Sequence, residues 1–385
     1  MKRIKLGLLI AASSLLLTAC SGGDDLKSPI ILEPETIGGE STSMPEEDGN
    51  NGSSEAANPS SDDDTLPPAE GMMRSRLTNE WVDEDVYNTR PIAVMTPNES
   101  AAIPHYNLSN ASVLYEAPVE GGMTRMLAIY EDWEGLDKIG NVRSLRTYYG
   151  YWALEWDAYI LHFGGPFFVD EILDKANVED LDGNLGSDTE AFFRTSDRVA
   201  PHNAYAKGSG IKSLIDRKGY SLSYRGLADS QHYNFTTKAD PNTLSQYSDA
   251  KDATYVNMAS CYPSTRCYFE YNADDGLYYR SQHLKGSSDG PHVDAVTGEQ
   301  LKFKNILIQY MKYEDLGKGY LAFQVHDSQQ KGWYITNGKA IPVTWEKNSD
   351  FGATRYYDAS GQEITLNTGK TMVMIIKQGQ DFEFK

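Results

Sequence analysis

Residues 115–133 read YEAPVEGGMTRMLAIYEDW, placing Glu116, Glu120, a glycine pair and Arg125 in one short stretch. A buried glutamate beside arginines can serve as a general acid or base, or the guanidinium groups can hold it ionised in a structural ion pair. If the chain is extended up to Pro118, Glu116 and Glu120 share one side of a sheet by parity, although a proline between them weakens that rule. Gly121 and Gly122 permit a sharp turn or a close approach of backbone amides to a ligand. A second grouping, Arg143-Ser144-x-Arg146, falls where a helix is expected to start. Free amides at a helix N-terminus with two guanidinium groups suit a carboxylate, phosphate or sulfate. Equally, Ser144 can cap the helix while the arginines pair with Glu116 and Glu120.

Two histidines extend the candidate set. His162 ends an apolar run just before Gly164-Gly165, and ligands gather at the carboxyl ends of strands in α/β sheets. His202 and Asn203 lie in APHNAY, a loop sequence, and loops carry function; a lone histidine can equally be a hydrogen-bonded structural residue. No HxH, HExxH or Cys/His cluster is present, so no metal is expected. No GxSxG is placed as a nucleophile elbow between a strand and a helix, and GxGxxG and P-loop signatures are missing, which argues against serine hydrolysis and nucleotide cofactors.

These residues need a frame. Residues 90–95, 126–130 and 158–163 read as buried strands; 144–157, 168–176 and 209–218 read as helices, the last with a serine cap. Beyond about residue 257 the pattern changes to short β segments with turns, including Asn337-Gly338 and Ser360-Gly361 at hairpin positions. The expected fold class is therefore α+β: a mixed α/β domain over 77–256 and a smaller β-rich domain over 257–385, built as a small antiparallel sheet or barrel.

The chain begins MKRIKLGLLIAASSLLLTACSGG. A positive start, an apolar run and a small-residue site form a signal peptide over 1–19. Its apolar run is too short to cross a hydrocarbon core of about 30 Å. Cys20 follows as in a bacterial lipobox and is expected to carry a lipid such as palmitate, anchoring the mature chain to a membrane. Ser21, in place of a retaining aspartate, favours an outer membrane where one exists. From Ser21 to Glu70, thirteen acids face only Lys27, so about 12 of the 20 formal negative charges sit in a segment too polar to bury a core. Residues 20–76 are expected to form a disordered, solubilising tether. The acidic total is therefore no signature for nucleic acid, and no nucleic-acid partner is expected. Export also implies an oxidising compartment, and Cys261 and Cys267, in CYPSTRC, are expected to form a disulfide.

RPIAVM, LYEAPVEGGMTRMLAIYED, KIGNVRSLRTYY, WDAYILHFGG, RTSDRVAPHNAYA, KGWYITNGKAIPVTWEK and YYDASGQEITLNTGKT together resemble the YerB-type bacterial lipoproteins, a family named as a domain of unknown function. The resemblance covers nearly all of 77–385. It implies the two-part architecture and supplies no catalytic residues. Two function classes follow. One is a lipid-tethered binding or assembly module. The other is a glycan- or peptidoglycan-active enzyme with Glu120 or Glu116 as acid/base, Arg143 and Arg146 gripping an anionic group, and aromatic side chains stacking on sugars.

Overall fold

The computed structural model describes residues 64–284, 286 and 288–385. The signal peptide, Cys20 and most of the tether lie outside the described residues.

The strands that organise the molecule are β1 (Ile92–Pro97), β2 (Val113–Pro118), β3 (Thr124–Tyr130), β4 (Tyr159–His162), β5 (Asp180–Asp182), β6 (Leu277–His283), β7 (Asn305–Met311), β8 (Asp327–Thr336), β9 (Lys339–Lys347) and β10 (Thr371–Lys377). The two longest described helices are α1 (Thr147–Leu154) and α2 (Gly208–Lys218). All strands but β6 belong to one large mixed sheet, ordered β9-β8-β7-β10-β2-β3-β1-β4-β5. The short strand Lys251–Asp252 pairs with β9 at its edge, and Arg355–Tyr357 also pairs with β9. Within the sheet, β1 runs parallel to β4 and antiparallel to β3, and β2 is antiparallel to β3 and parallel to β10.

Apolar side chains alternate between the two faces, as a period of two requires. Ala93, Met95, Tyr115 and Leu127 pack with Trp152 and Leu154 of α1 on one face. Ile92, Val94, Leu114 and Met126 pack on the other with Ile211, Leu214 and Ile215 of α2 and with Phe269 and Tyr278. The last two belong to a second sheet of six strands, in which β6 pairs with Tyr268–Asn272, Asp289–Pro291 and Lys302–Phe303.

The two-part organisation fits, and the molecule is mostly sheet with few helices, so the expected α+β class is met only in part. The helix expected over 144–157 starts only at Thr147, and that expected over 168–176 shrinks to a 3-10 turn and Asp170–Leu173. The cap residue of α2 is Lys207, with no side-chain cap bond, so Ser209 is not its cap. Gly208 and Gly210 instead let α2 press on backbone, since a Cβ at Gly210 would stand 1.9 Å from the Glu190 carbonyl oxygen. Within the β-rich segment, strands between residues 255 and 384 supply all of the second, antiparallel sheet, but the other long strands do not stand apart. β7, β8, β9 and β10 complete the central sheet, with Thr371–Met374 registered against Val113–Glu116. Asn337 and Gly338, both at positive φ, form the turn joining β8 to β9, as the sequence indicated.

Candidate binding site at the carboxyl ends of the strands

β1, β2, β4 and β5 point their carboxyl ends the same way. Glu99 follows β1, Glu120 follows β2, Gly164 and Gly165 follow β4, and Arg125 enters β3 at the same end. Most candidate residues therefore collect at one edge of the sheet, but they separate into a sealed group and an open one.

Glu116 is fully buried. Its carboxylate accepts from Asn98 Nδ2 at 2.7 Å, Thr124 Oγ1 at 2.7 Å and Arg280 at 2.8 Å. Arg280 comes from β6 and is itself fully buried. It also donates to Gln282 Oε1 at 2.6 Å and to His292 Nδ1. Because a guanidinium only donates, His292 Nδ1 must accept. His292 Nε2 then donates to His105 Nδ1 at 2.8 Å, and His105 Nε2 donates to the Pro97 carbonyl at 2.7 Å. Both imidazoles are thus neutral with fixed tautomers. Burial lowers His105 to about 4 and pushes His292 well below its usual value, with Arg280 adding repulsion. Burial opposes the charge on Arg280, yet Glu116 keeps its pKa above the ordinary arginine value. This chain of contacts joins the first and last thirds of the protein and offers no face to a substrate.

Glu120 faces elsewhere. The chain leaves β2 at Pro118 and turns through Glu120–Gly122, with Gly121 and Gly122 at φ 72° and 73°. This turn breaks the expected parity between Glu116 and Glu120. Glu120 accepts from Arg146 Nε at 3.0 Å and from Arg146 Nη2, and lies 3.8 Å from Arg125. Its side chain keeps 23% exposure. The two arginines are held in turn by backbone: Arg125 donates to the Ser144 carbonyl, and Arg146 to the Leu145 carbonyl at 2.7 Å. α1 secures this end of the sheet, since Tyr148 donates to the Pro118 carbonyl at 2.7 Å and Tyr149 to the Arg125 carbonyl at 2.7 Å.

Arg143 pairs with Glu99 at 3.6 Å, and His202 approaches the same carboxylate at 3.7 Å. Arg143 and Glu99 are each 19% exposed and His202 is 17% exposed. Arg143 Nε is buried without a hydrogen-bond partner. Burial lowers the pKa of Arg125, Arg143 and Arg146, and Arg125 further lowers that of Arg143. Burial also favours neutral His202. Around Glu99 and Glu120, three guanidinium groups thus stand against two carboxylates. Ser144 caps no helix; its hydroxyl donates to the Phe163 carbonyl at 2.9 Å, and Arg146 occupies the cap position. Arg143 and Ser144 lie before α1 and outside any helix, so the expected helix-terminus anion cradle is replaced by side chains alone.

His162 and Asn203 take no part. His162 is buried between the Gly164 carbonyl at 2.9 Å and Asp180 at 3.1 Å. Burial disfavours its charged form, but Asp180, Asp182 and the Gly164 carbonyl outweigh that and raise its pKa. Asn203 is tied to Arg194 at 2.8 Å and to the Thr195 carbonyl at 2.9 Å. Cys261 and Cys267 are free thiols, contrary to the expected disulfide. Cys261 turns to the Asp381 carbonyl at 3.1 Å, while Cys267 lies in the core 4.0 Å from Glu116. Six residues of separation allowed a bridge; the local turn sends the two side chains to different partners.

Sequence reading missed Glu99, His105, Arg280 and His292. The signal for Arg280 was alternation: Tyr278, Arg280 and Gln282 occupy the inward positions of β6, and an arginine at such a position demands a buried partner.

Residues 77–221 match the family described as "Protein of unknown function (DUF3048) N-terminal domain", and residues 256–373 match its C-terminal domain. The chain is 29% identical over 296 residues to YerB of Bacillus subtilis (strain 168), a protein named as a candidate lipoprotein, covering 72% of this chain and 83% of that one. It superposes on the crystal structure of a YerB protein from Bacillus subtilis with a TM-score of 0.66 at 23% identity, covering 79% of this chain and 96% of the other.

Proposed function

The chain belongs to the DUF3048 family of proteins of unknown function, and within it we propose a lipid-anchored, extracytoplasmic module that binds an anionic component of the cell envelope. The anchor is Cys20, supported by the lipobox-like sequence and by the lipoprotein name of the Bacillus relative. The binding edge is Arg143 with Glu99 and His202. One observation carries this reading over acid/base catalysis: each candidate carboxylate is already committed to guanidinium, Glu116 to Arg280 in a sealed core and Glu120 to Arg146 and Arg125. Glu116 is fully buried and has no face to offer a substrate, and both oxygens of Glu120 already accept from Arg146. Arg143, by contrast, keeps 19% of its side chain exposed beside Glu99, and its buried Nε has no hydrogen-bond partner. Peptidoglycan, with its peptide carboxylates, is the partner to try first. Sedimentation of the protein with purified cell wall, for wild type and Arg143→Ala, tests this. Retention that drops with Arg143→Ala supports the reading; equal retention, or none, removes it.

A further inference from the structure

At the opposite end of the central sheet, where β7 and β10 begin, lies a cavity of about 520 Å³. Its floor is apolar, with Leu108, Leu301 and Phe303, and its rim carries four lysines, Lys238, Lys302, Lys304 and Lys370, against Glu80, Asp275 and Glu299. The acids are used locally. Glu80 pairs with Lys238 at 3.2 Å, Glu299 lies 3.8 Å from Lys302, and Asp275 accepts from Tyr279 at 2.5 Å.

Lys304 and Lys370 differ from the other two. They precede the parallel strands β7 and β10 side by side, the Lys304 amide donating to the Lys370 carbonyl at 2.9 Å. Neither has a carboxylate within ion-pair distance among the described residues. Lys304 Nζ donates to the Gly276 carbonyl at 3.1 Å and Asn337 Oδ1 at 2.6 Å, and Lys370 Nζ to the Ser109 carbonyl. An ammonium has three donors, so one proton of Lys304 and two of Lys370 remain for a ligand. Burial accordingly lowers both pKa values. Gly369, at φ 136°, keeps the two close: a Cβ there would stand 2.8 Å from Lys304 Cβ. In a chain of formal charge −20, a half-enclosed, net-positive cavity with an uncompensated lysine pair is a place where an anion is selected rather than repelled.

We propose that this cavity binds a small organic anion, its carboxylate or phosphate group between Lys304 and Lys370 and its apolar part on Leu108, Leu301 and Phe303. The site is separate from the Arg143 edge.

The test is amine acetylation of the full chain in detergent, followed by peptide mass spectrometry, with citrate and pyrophosphate as probes and sodium chloride at matched ionic strength as control. The expected result is saturable, several-fold slower acetylation of Lys304 and Lys370 with at least one probe, and no change at Lys251 or Lys339. Protection by citrate alone marks a carboxylate ligand, and by pyrophosphate alone a phosphate. Calorimetry on Lys370→Met should show at least tenfold weaker binding of the effective probe. The wild-type footprint stands on its own if that variant fails to fold. Protection by neither probe at millimolar concentration, or equal protection by sodium chloride, overturns the proposal. Wall sedimentation dependent on Arg143 can persist in that case, so the two readings fail independently.

Discussion

Glu116 and Arg280, 164 residues apart, meet at 2.8 Å with no solvent exposure on either side chain. The pair welds β2 of the central sheet to β6 of the second sheet. Removing one partner strands a charge in the core, which typically costs about 3–5 kcal/mol. Glu116→Gln and Arg280→Met are each expected to lose stability of that order in urea unfolding. The double variant should lose clearly less than the sum of the singles, because neither charge is left alone.

The neutral histidine pair beside Arg280 makes the fold sensitive to acid. His105 has a native pKa of about 4 against an ordinary 6.5, so between these values the unfolded chain binds more protons and stability rises with pH. On acidification from pH 6.5 to 4 this group alone withdraws on the order of 3 kcal/mol, and His292 shifts in the same direction. Urea unfolding at steps across that window should show a steep decline, shallower in His105→Gln. A flat profile would mean the pair is already protonated.

Because Cys261 and Cys267 are free, both should alkylate with iodoacetamide in denaturant without a reductant. Reductant should also leave the melting temperature unchanged. Full protection from alkylation would establish the bridge after all.

What the sequence disclosed and what it hid divide along the range of the interactions. The strands over 92–97 and 124–130 and the Asn337-Gly338 turn rest on neighbours a few residues away, and local pattern reads them. Grouping Glu120 with Arg125 and Arg146 was also legible, since all three flank one turn and one short segment. Arg280 as the partner of Glu116 was not, because no local rule pairs positions in two different sheets. That β7 to β10 join the central sheet was hidden for the same reason: β10 inserts beside β2 through parallel pairing that leaves no turn signature between them. The helices were overestimated because aromatic-rich buried runs carry little periodicity to distinguish helix from extended chain.

At the open edge, Glu120→Gln should cost only ~1 kcal/mol, as expected for a partly solvated ion pair, and leave wall retention intact. Arg143→Ala should cost about as little and reduce retention. Thermal melts beside sedimentation separate the two effects. If Glu120→Gln abolishes retention at unchanged stability, the ligand contacts lie around Glu120 instead.

The most direct measurement incubates the full chain with purified peptidoglycan and examines the supernatant for released fragments by mass spectrometry. A binding module whose carboxylates are locked to arginine should stay with the wall and release nothing. Fragments produced by the wild-type chain and lost with Glu120→Gln would contradict this and make residues 115–133 an active site.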